Sequence, residues 1–256
     1  MRVDAVEDTA AFAVGEGPTP CLLLHGFTGT PWDLRPLADA LADRGYRVHV
    51  PRLPGHGLVP EDMLPVTATD WVRAAEQALE GLPPGPVFVG GLSMGGLLSL
   101  ILAARHPERV KALALMAPAV RFRGPLMTFL RATRRVPWLE WVKPWVNKSA
   151  TDISDPDVLK QAPLIPRFPS KRLGDLWTLQ DLAEAAEPEI VAPTLILVAE
   201  HDHVVDPDAG AYLQHRLAAA REVKCVRLQR GFHILPRDVD GPVVLREVAE
   251  FFERLR

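Results

Sequence analysis

The sequence lacks several things, and each lack excludes a class of function. It has no uninterrupted apolar run of the ~18 residues that a membrane span requires, so no membrane insertion is expected. Its opening stretch, MRVDAVEDTAAF, is acidic and holds no apolar core of a secretory signal, which points to a cytoplasmic protein. Charge is nearly balanced, with 29 Lys and Arg against 32 Asp and Glu and a formal net charge of −3. Nothing there suggests a footprint for nucleic acid or for an anionic lipid surface. Only two cysteines occur, Cys21 and Cys225, each inside an apolar, strand-like run. They read as buried thiols in a reducing compartment, and their pairing is left open. Internal repeats and low-complexity tracts are absent.

What is present is a chain of 256 residues, 48% of them hydrophobic, enough for one large core with an insertion. Short β-rich apolar runs appear at Cys21–Leu24, Arg47–Val50, Val87–Val89, Val110–Leu115, Thr194–Ala199 and Lys224–Leu228. Amphipathic helical stretches separate most of them, at Trp32–Arg44, Thr69–Leu82, Met94–Arg105, Asp208–Ala220 and Val239–Leu255. Asp70 stands at the start of the second helix and Gly81 just past its end, while Asp206 before Pro207 reads as an N-cap. Alternation of strand and helix predicts an α/β fold, a parallel sheet with helices on both faces. The rhythm breaks between Ala119 and Glu187, where no strand is evident and four of the six tryptophans fall. The expected domains are therefore a core of residues 1–118 and 188–256 and a mostly helical lid of residues 119–187.

The chemistry begins at Gly91-Leu92-Ser93-Met94-Gly95. A G-x-S-x-G stretch is informative only where it follows a strand and opens a helix, and this one does both. A strand turning abruptly into a helix strains its central residue, and side chains two positions to either side would strike backbone. Glycines at 91 and 95 provide the clearance. Ser93 is then displayed beside a helix N-terminus, whose dipole favours a developing negative charge.

A serine hydroxyl needs a base, and the base needs an orienting acid. In folds with this turn the chain order is Ser, acid, His, which sets aside His25 and His56. The loop Glu200-His201-Asp202-His203-Val204-Val205-Asp206 follows a strand and offers three acids. Asp206 has the N-cap role, so Asp202 is the preferred acid, with Glu200 behind it. Among the later histidines, His203 adjoins Asp202 and His215 lies mid-helix; His233 follows the last strand and is the candidate base. Acyl transfer also calls for two aimed N–H groups. Met94, after the serine, supplies one, and Phe27 in the loop His25-Gly26-Phe27-Thr28-Gly29 the other. His25 is then scaffold, and His56, in Pro54-Gly55-His56-Gly57, structure or wall.

Together LLLHGFTGTPWDLRPLADAL, PRLPGHG, GLSMGG, AEHDHVVDPD and GFHILPRD resemble the α/β-hydrolase superfamily, and within it the small bacterial carboxylesterases and monoacylglycerol lipases. The resemblance spans nearly the whole chain outside residues 119–187. It implies a mostly parallel eight-stranded sheet with a lid, and hydrolysis of short- to medium-chain acyl esters or monoacylglycerols with no metal or cofactor. The partner it implies is a small ester or lipid-like molecule; the oligomeric state is open. Thioester hydrolysis, carbon–carbon cleavage and perhydrolysis are alternatives on the same fold. His201 and His203 form a possible metal-ligand pair, with no third or fourth ligand visible.

In the lid, Trp138, Trp141 and Trp145 share one face of a helix opened by Pro137, with Pro144 able to kink or end it. Met127, Phe129 and Leu130 make a second apolar cluster, opposed by Arg131, Arg134 and Arg135. Trp138, Trp141, Trp145 and Phe129 are the candidate substrate-binding residues, either roofing an acyl pocket or packing on the domain beneath.

Overall fold

Successive side chains of a strand point to opposite faces, and here both faces are apolar. In strand β2 (Thr19–Leu24), Leu22 and Leu24 enter one buried cluster, and Cys21 and Leu23 the other. The same split runs through β4 (Val87–Leu92), β5 (Val110–Met116) and β8 (Thr194–Ala199). Such strands are stable only between two layers of helices. The computed structural model describes residues 9–57, 59–124, 127, 131 and 143–256, and it has this three-layer arrangement.

Among the described residues the main sheet has seven strands, in the order β1-β3-β2-β4-β5-β8-β9, with β1 at Phe12–Val14, β3 at Tyr46–Val50 and β9 at Val223–Leu228. Only β1 runs antiparallel, pairing with β3. The count is one fewer than the resemblance implies. β5 pairs directly with β8, from Leu113↔Thr194 to Met116↔Leu197, so no strand lies between them. Helices α1 (Arg35–Ala42) and α7 (Gly241–Leu255) cover one face; α2 (Ala68–Glu80), α3 (Met94–Arg105), α5 (Arg172–Ala186) and α6 (Ala209–Arg216) contribute to the other.

The described residues of 119–187 are not all helix. They include two short strands, β6 (Trp145–Asn147) and β7 (Arg167–Pro169), paired antiparallel as a separate ribbon, and the short helix α4 (Pro156–Gln161) before α5. Trp145 therefore lies on a strand past Pro144, not on a helix with Trp138 and Trp141; those two and Phe129 fall outside the described residues. α5 packs on α3, which explains why α3 is buried nearly all round.

The helix signals need two adjustments. The N-cap of α2 is Thr67, whose Oγ1 accepts from Asp70 N–H while Asp70 accepts from Thr67 N–H, a reciprocal capping box. Asp206 accepts from Asp208 N–H at 3.0 Å, but the helix itself starts at Ala209. Cys21 and Cys225 are free thiols; Cys21 is buried and Cys225 only half-buried, because β9 is an edge strand. Among the described residues no helix is long and apolar enough to cross a membrane.

β2 has β3 on one side and β4 on the other, so the strand order reverses between β2 and β4. In open α/β sheets that reversal leaves a crevice at the carboxyl ends of the strands. The loops after β2 and β4 meet there.

Candidate active site

Ser93 is the single residue between β4 and α3, and it holds φ 55° and ψ −113°. A non-glycine residue in that region stores strain of ~1–3 kcal/mol. The neighbours explain why it is kept. A methyl group at Gly95 would overlap the Leu24 carbonyl oxygen, and one at Gly91 would overlap the Gly95 carbonyl. Ser93 N–H donates to Met116 O at 2.9 Å, and Ser93 O accepts from Gly96 N–H at 2.9 Å and Ala119 N–H at 3.2 Å. The turn is thus clamped from β5, from α3 and from the chain leaving β5.

Beside it lies the loop after β2. A Cβ on Gly26 would stand 3.2 Å from Ser93 Cβ and 3.8 Å from Ser93 Oγ, so only glycine lets the loop approach so near. His25 holds that loop. Its Nε2 accepts from Leu53 N–H at 3.0 Å, which leaves Nδ1–H to donate to Gly26 O at 2.9 Å. Burial pushes its pKa down to about 3, with the neighbouring His56 adding to the effect, so the ring is neutral scaffold. His56 is likewise buried, donates from Nδ1 to Pro54 O at 2.9 Å, and is pushed down to about 4 by burial. Phe27 packs its ring edge-on against Trp71, His56 and Phe168. Met94 is the first residue of α3, where a backbone N–H has no acceptor within the helix.

Asp202 and His233 arrive from the loops after β8 and β9. Asp202 is 2% exposed; its Oδ2 lies 2.7 Å from His233 Nδ1, and its Oδ1 accepts from Val204 N–H at 2.7 Å and Val205 N–H at 2.8 Å. Both carboxylate oxygens are thus engaged. Arg123 donates to the Asp202 carbonyl, and the chain at 121–123 runs along the acid loop through Arg123 N–H to Val204 O and Asp206 N–H to Arg121 O. Burial alone would raise the Asp202 pKa, but the His233 charge, the bond from its ring and the two backbone N–H groups hold it low. For His233 burial pulls downward and is outweighed by the charge and hydrogen bond of Asp202, aided by Asp152, so its pKa is raised. Both shifts have the sense of an ion pair.

Ser93, Asp202 and His233 therefore follow the carboxyl ends of β4, β8 and β9 at one edge of the sheet, with Asp202 bonded to His233 and the Gly26 loop against Ser93. The rival groups are occupied elsewhere. Glu200 pairs with Arg227 at 2.7 Å, Asp206 caps Asp208, and the His203 side chain, 60% exposed, faces Asp152. Among the described residues no group of three or more His, Cys, Asp or Glu is arranged to hold a metal ion.

Comparison with known proteins supplies the family. A family model described as serine aminopeptidase, S33, matches residues 19–240. The chain belongs to that S33 family. It is similar to the thermostable monoacylglycerol lipase of Bacillus sp. (strain H-257), 36% identical with 95% of this chain and 94% of that one covered. The carboxylesterase of Bacillus subtilis (strain 168) is 27% identical, with 95% and 96% covered. A solved structure of a metagenome-derived lipolytic enzyme, one of the pair LipS and LipT, superposes with a TM-score of 0.84 at 28% identity, covering 97% of this chain and 99% of the other. The S33 chain thus has the α/β-hydrolase fold.

The structure adds several residues near this site to the candidates read from the sequence. Lys148, after β6, donates to Thr28 Oγ1 at 2.9 Å and so touches the Gly26 loop. Burial pushes its pKa down, with Asp33 and Asp152 acting against that. Asp33 is buried and raised to about 6 by desolvation, opposed by its bond from Thr30 N–H and by Lys148. Asp238 collects N–H groups from Ser154, Asp155 and Phe232. Asp33 and Asp238 lie within the family-like stretches around residues 22–41 and 231–238, but the contacts of Lys148 with Thr28 and of Asp238 with Ser154 and Asp155 cross 80 or more residues of chain, which no local pattern reports.

Proposed function

We propose that the protein cleaves carboxylic esters of short- to medium-chain acyl groups, monoacylglycerols among them, through an acyl-enzyme on Ser93. Its class is serine ester hydrolase. The observation that carries the site is the 2.7 Å Asp202–His233 bond at the same sheet edge as a serine held at φ 55°.

In this reading His233 removes the Ser93 proton as the oxygen attacks the ester carbonyl. The backbone N–H groups of Phe27 and Met94 receive the charge on the carbonyl oxygen. His233 then protonates the leaving alcohol, and water activated by the same ring releases the acid. Asp202 stays ionised throughout and fixes the ring so that Nε2 is the reactive nitrogen. No step calls on a metal or cofactor. The same reading makes residues 119–187 a lid over the core of residues 1–118 and 188–256, with Trp138, Trp141 and Phe129 as acyl contacts. Trp145 is better suited to holding the ribbon, since the Arg167 guanidinium stacks on its ring at 4.6 Å. A small ester or lipid-like substrate and a cytoplasmic setting complete it; the free thiols of Cys21 and Cys225 fit the latter.

The test is a substrate panel with wild type and Ser93→Ala: p-nitrophenyl esters of graded chain length, monoacylglycerols and acyl-thioesters. Turnover of the oxygen esters should fall by several orders of magnitude in Ser93→Ala, with folding unchanged and fluorophosphonate labelling lost. Preferential turnover of thioesters, or Ser93→Ala activity near wild type, would overturn the reading.

A further inference from the structure

Asp152 lies in the connection between β6 and α4, far in sequence from both Asp202 and His233. Its carboxylate nevertheless holds the residue after Asp202, and its backbone carbonyl holds the residue after His233. Asp152 Oδ2 accepts from His203 N–H at 3.1 Å, and Oδ1 lies 2.7 Å from His203 Nδ1. Its carbonyl accepts from Ile234 N–H at 3.2 Å. Two residues on, Ser154 and Asp155 donate their N–H groups to Asp238, whose carboxylate also receives Phe232 N–H at 2.7 Å. One short stretch of residues 119–187 therefore grips residues 203, 232 and 234, the chain neighbours of Asp202 and His233.

A hydrogen bond of 2.7 Å between two buried side chains on different loops requires those loops to keep their separation within a few tenths of an ångström. β8 and β9 set that separation only up to their last residues, Ala199 and Leu228. Beyond them Glu200 N–H still donates to Leu228 O at 2.9 Å, and the two loops then meet through the His203 and Phe232 rings, 4.6 Å between centroids, and through the Asp202–His233 bond. From outside, residues 121–123 hold the acid loop and Asp240 the histidine loop, while Asp152 bonds to both loops at once.

We propose that Asp152 is a positioning residue that sets the Asp202–His233 geometry, so that the segment above the site is part of the catalytic scaffold as well as its cover. The inference rests on the reading of Asp202 and His233 as orienting acid and base. Electrostatics gives it a second consequence. The charged groups felt by His233 are Asp202 and Asp152, which favour its protonated form, and Lys148, which opposes it; the buried Asp33 carboxyl also feels the ring. Removing the Asp152 charge therefore moves the acid limb of kcat/KM to lower pH, and removing the Lys148 charge moves it to higher pH.

The experiment compares wild type with Asp152→Ala, Asp152→Asn, His203→Ala and Lys148→Met. Asp152→Ala should lower kcat by about ten- to a hundredfold with KM within twofold, the size expected when reacting groups are misplaced by a fraction of an ångström. Asp152→Asn keeps an oxygen for His203 N–H and should recover part of kcat, with its acid limb at lower pH. His203→Ala, which removes the ring contacts to Asp152 and Phe232, should reduce kcat in the same direction, and the double variant should lose less than the product of the two single losses. The downfield proton of the His233 Nδ1–H bond should move upfield or broaden in Asp152→Ala. Unchanged kcat and an unchanged downfield proton would overturn the proposal. So would losses that track melting temperature while the pH profile stays put. Should Asp152→Ala not fold, Asp152→Asn and His203→Ala decide by the same readouts. Failure of the underlying reading looks different, since Ser93→Ala would then keep its activity.

Discussion

At the scale of single residues, the site is governed by clearance and by charge. Gly95 has no room for a methyl group against Leu24 O, and both flanking segments are strands or helices that cannot retreat. Gly95→Ala should therefore cost at least the ~1–3 kcal/mol of an overpacked core position and depress activity further by shifting Ser93; thermal melting and turnover measured together check it. Charge sets the pH dependence. As the proposed base, His233 must be neutral to accept a proton, and Asp202 lifts its pKa above the ordinary 6.5 against the pull of burial. Activity should then rise with pH through a midpoint above 6.5. In Asp202→Asn the lifting charge is gone and burial dominates, so the midpoint should fall below 6.5 and kcat by about 10⁴. A kcat/KM profile from pH 5 to 9 reads both. Cys21 is a third case. Burial pushes its thiol pKa far up, so iodoacetamide should leave it unmodified in the native protein while the half-buried Cys225 reacts slowly. Peptide mapping after alkylation distinguishes them.

Among the elements, α2 offers the cleanest measurement. Thr67 and Asp70 close its first turn reciprocally, and Asp175 from α5 accepts Ala68 N–H at 2.9 Å. Thr67→Ala removes one acceptor and should cost ~1 kcal/mol. For a chain of this length that is about 2–4 °C in melting temperature, with activity at 25 °C unaltered; differential scanning calorimetry and an ester assay check the two halves. The elements also show what pattern reading recovers. α3 was expected at Met94–Arg105 and is found there, because an abrupt turn marks its start and its apolar run is unbroken. β1 gave no signal: three residues at a sheet edge, half-exposed, lack the apolar run that marks a buried strand. β6 and β7 are as short, and their ribbon is made by pairing across 20 residues of chain, which no local pattern reports.

At the scale of the molecule, the segment between β5 and β8 joins the site from two sides. Lys148 reaches the loop that carries Phe27, while Asp152 reaches the loops that carry Asp202 and His233. The ribbon strand β7 adds Phe168 against the Phe27 ring at 4.9 Å between centroids. Cutting or replacing this segment should thus damage turnover of even the shortest esters, where a simple roof over the acyl chain would affect only long ones. Chain-length profiles of a Phe168→Ala variant test this: a loss of about equal size across acetyl, butyryl and octanoyl esters is expected, and a loss confined to octanoyl would contradict it.

Consecutive residues alone were enough to place the sheet's central strands, to mark the turn at Ser93, and to name Asp202 and His233 as candidates, which the fold joins by a hydrogen bond. Those features are legible because each is written in consecutive residues: an apolar run, a pair of glycines around a serine, an acid and a histidine just past strand ends. Tertiary structure decided the tautomer of His25, through an N–H group 28 residues away, and the pairing of β5 with β8 that keeps the ribbon out of the sheet. It also decided which groups tune His233, since Asp152 and Lys148 act on it across some 80 residues of chain. Hydrogen bonds and charges act through space over a few ångströms, and only the folded backbone says which residues are that close.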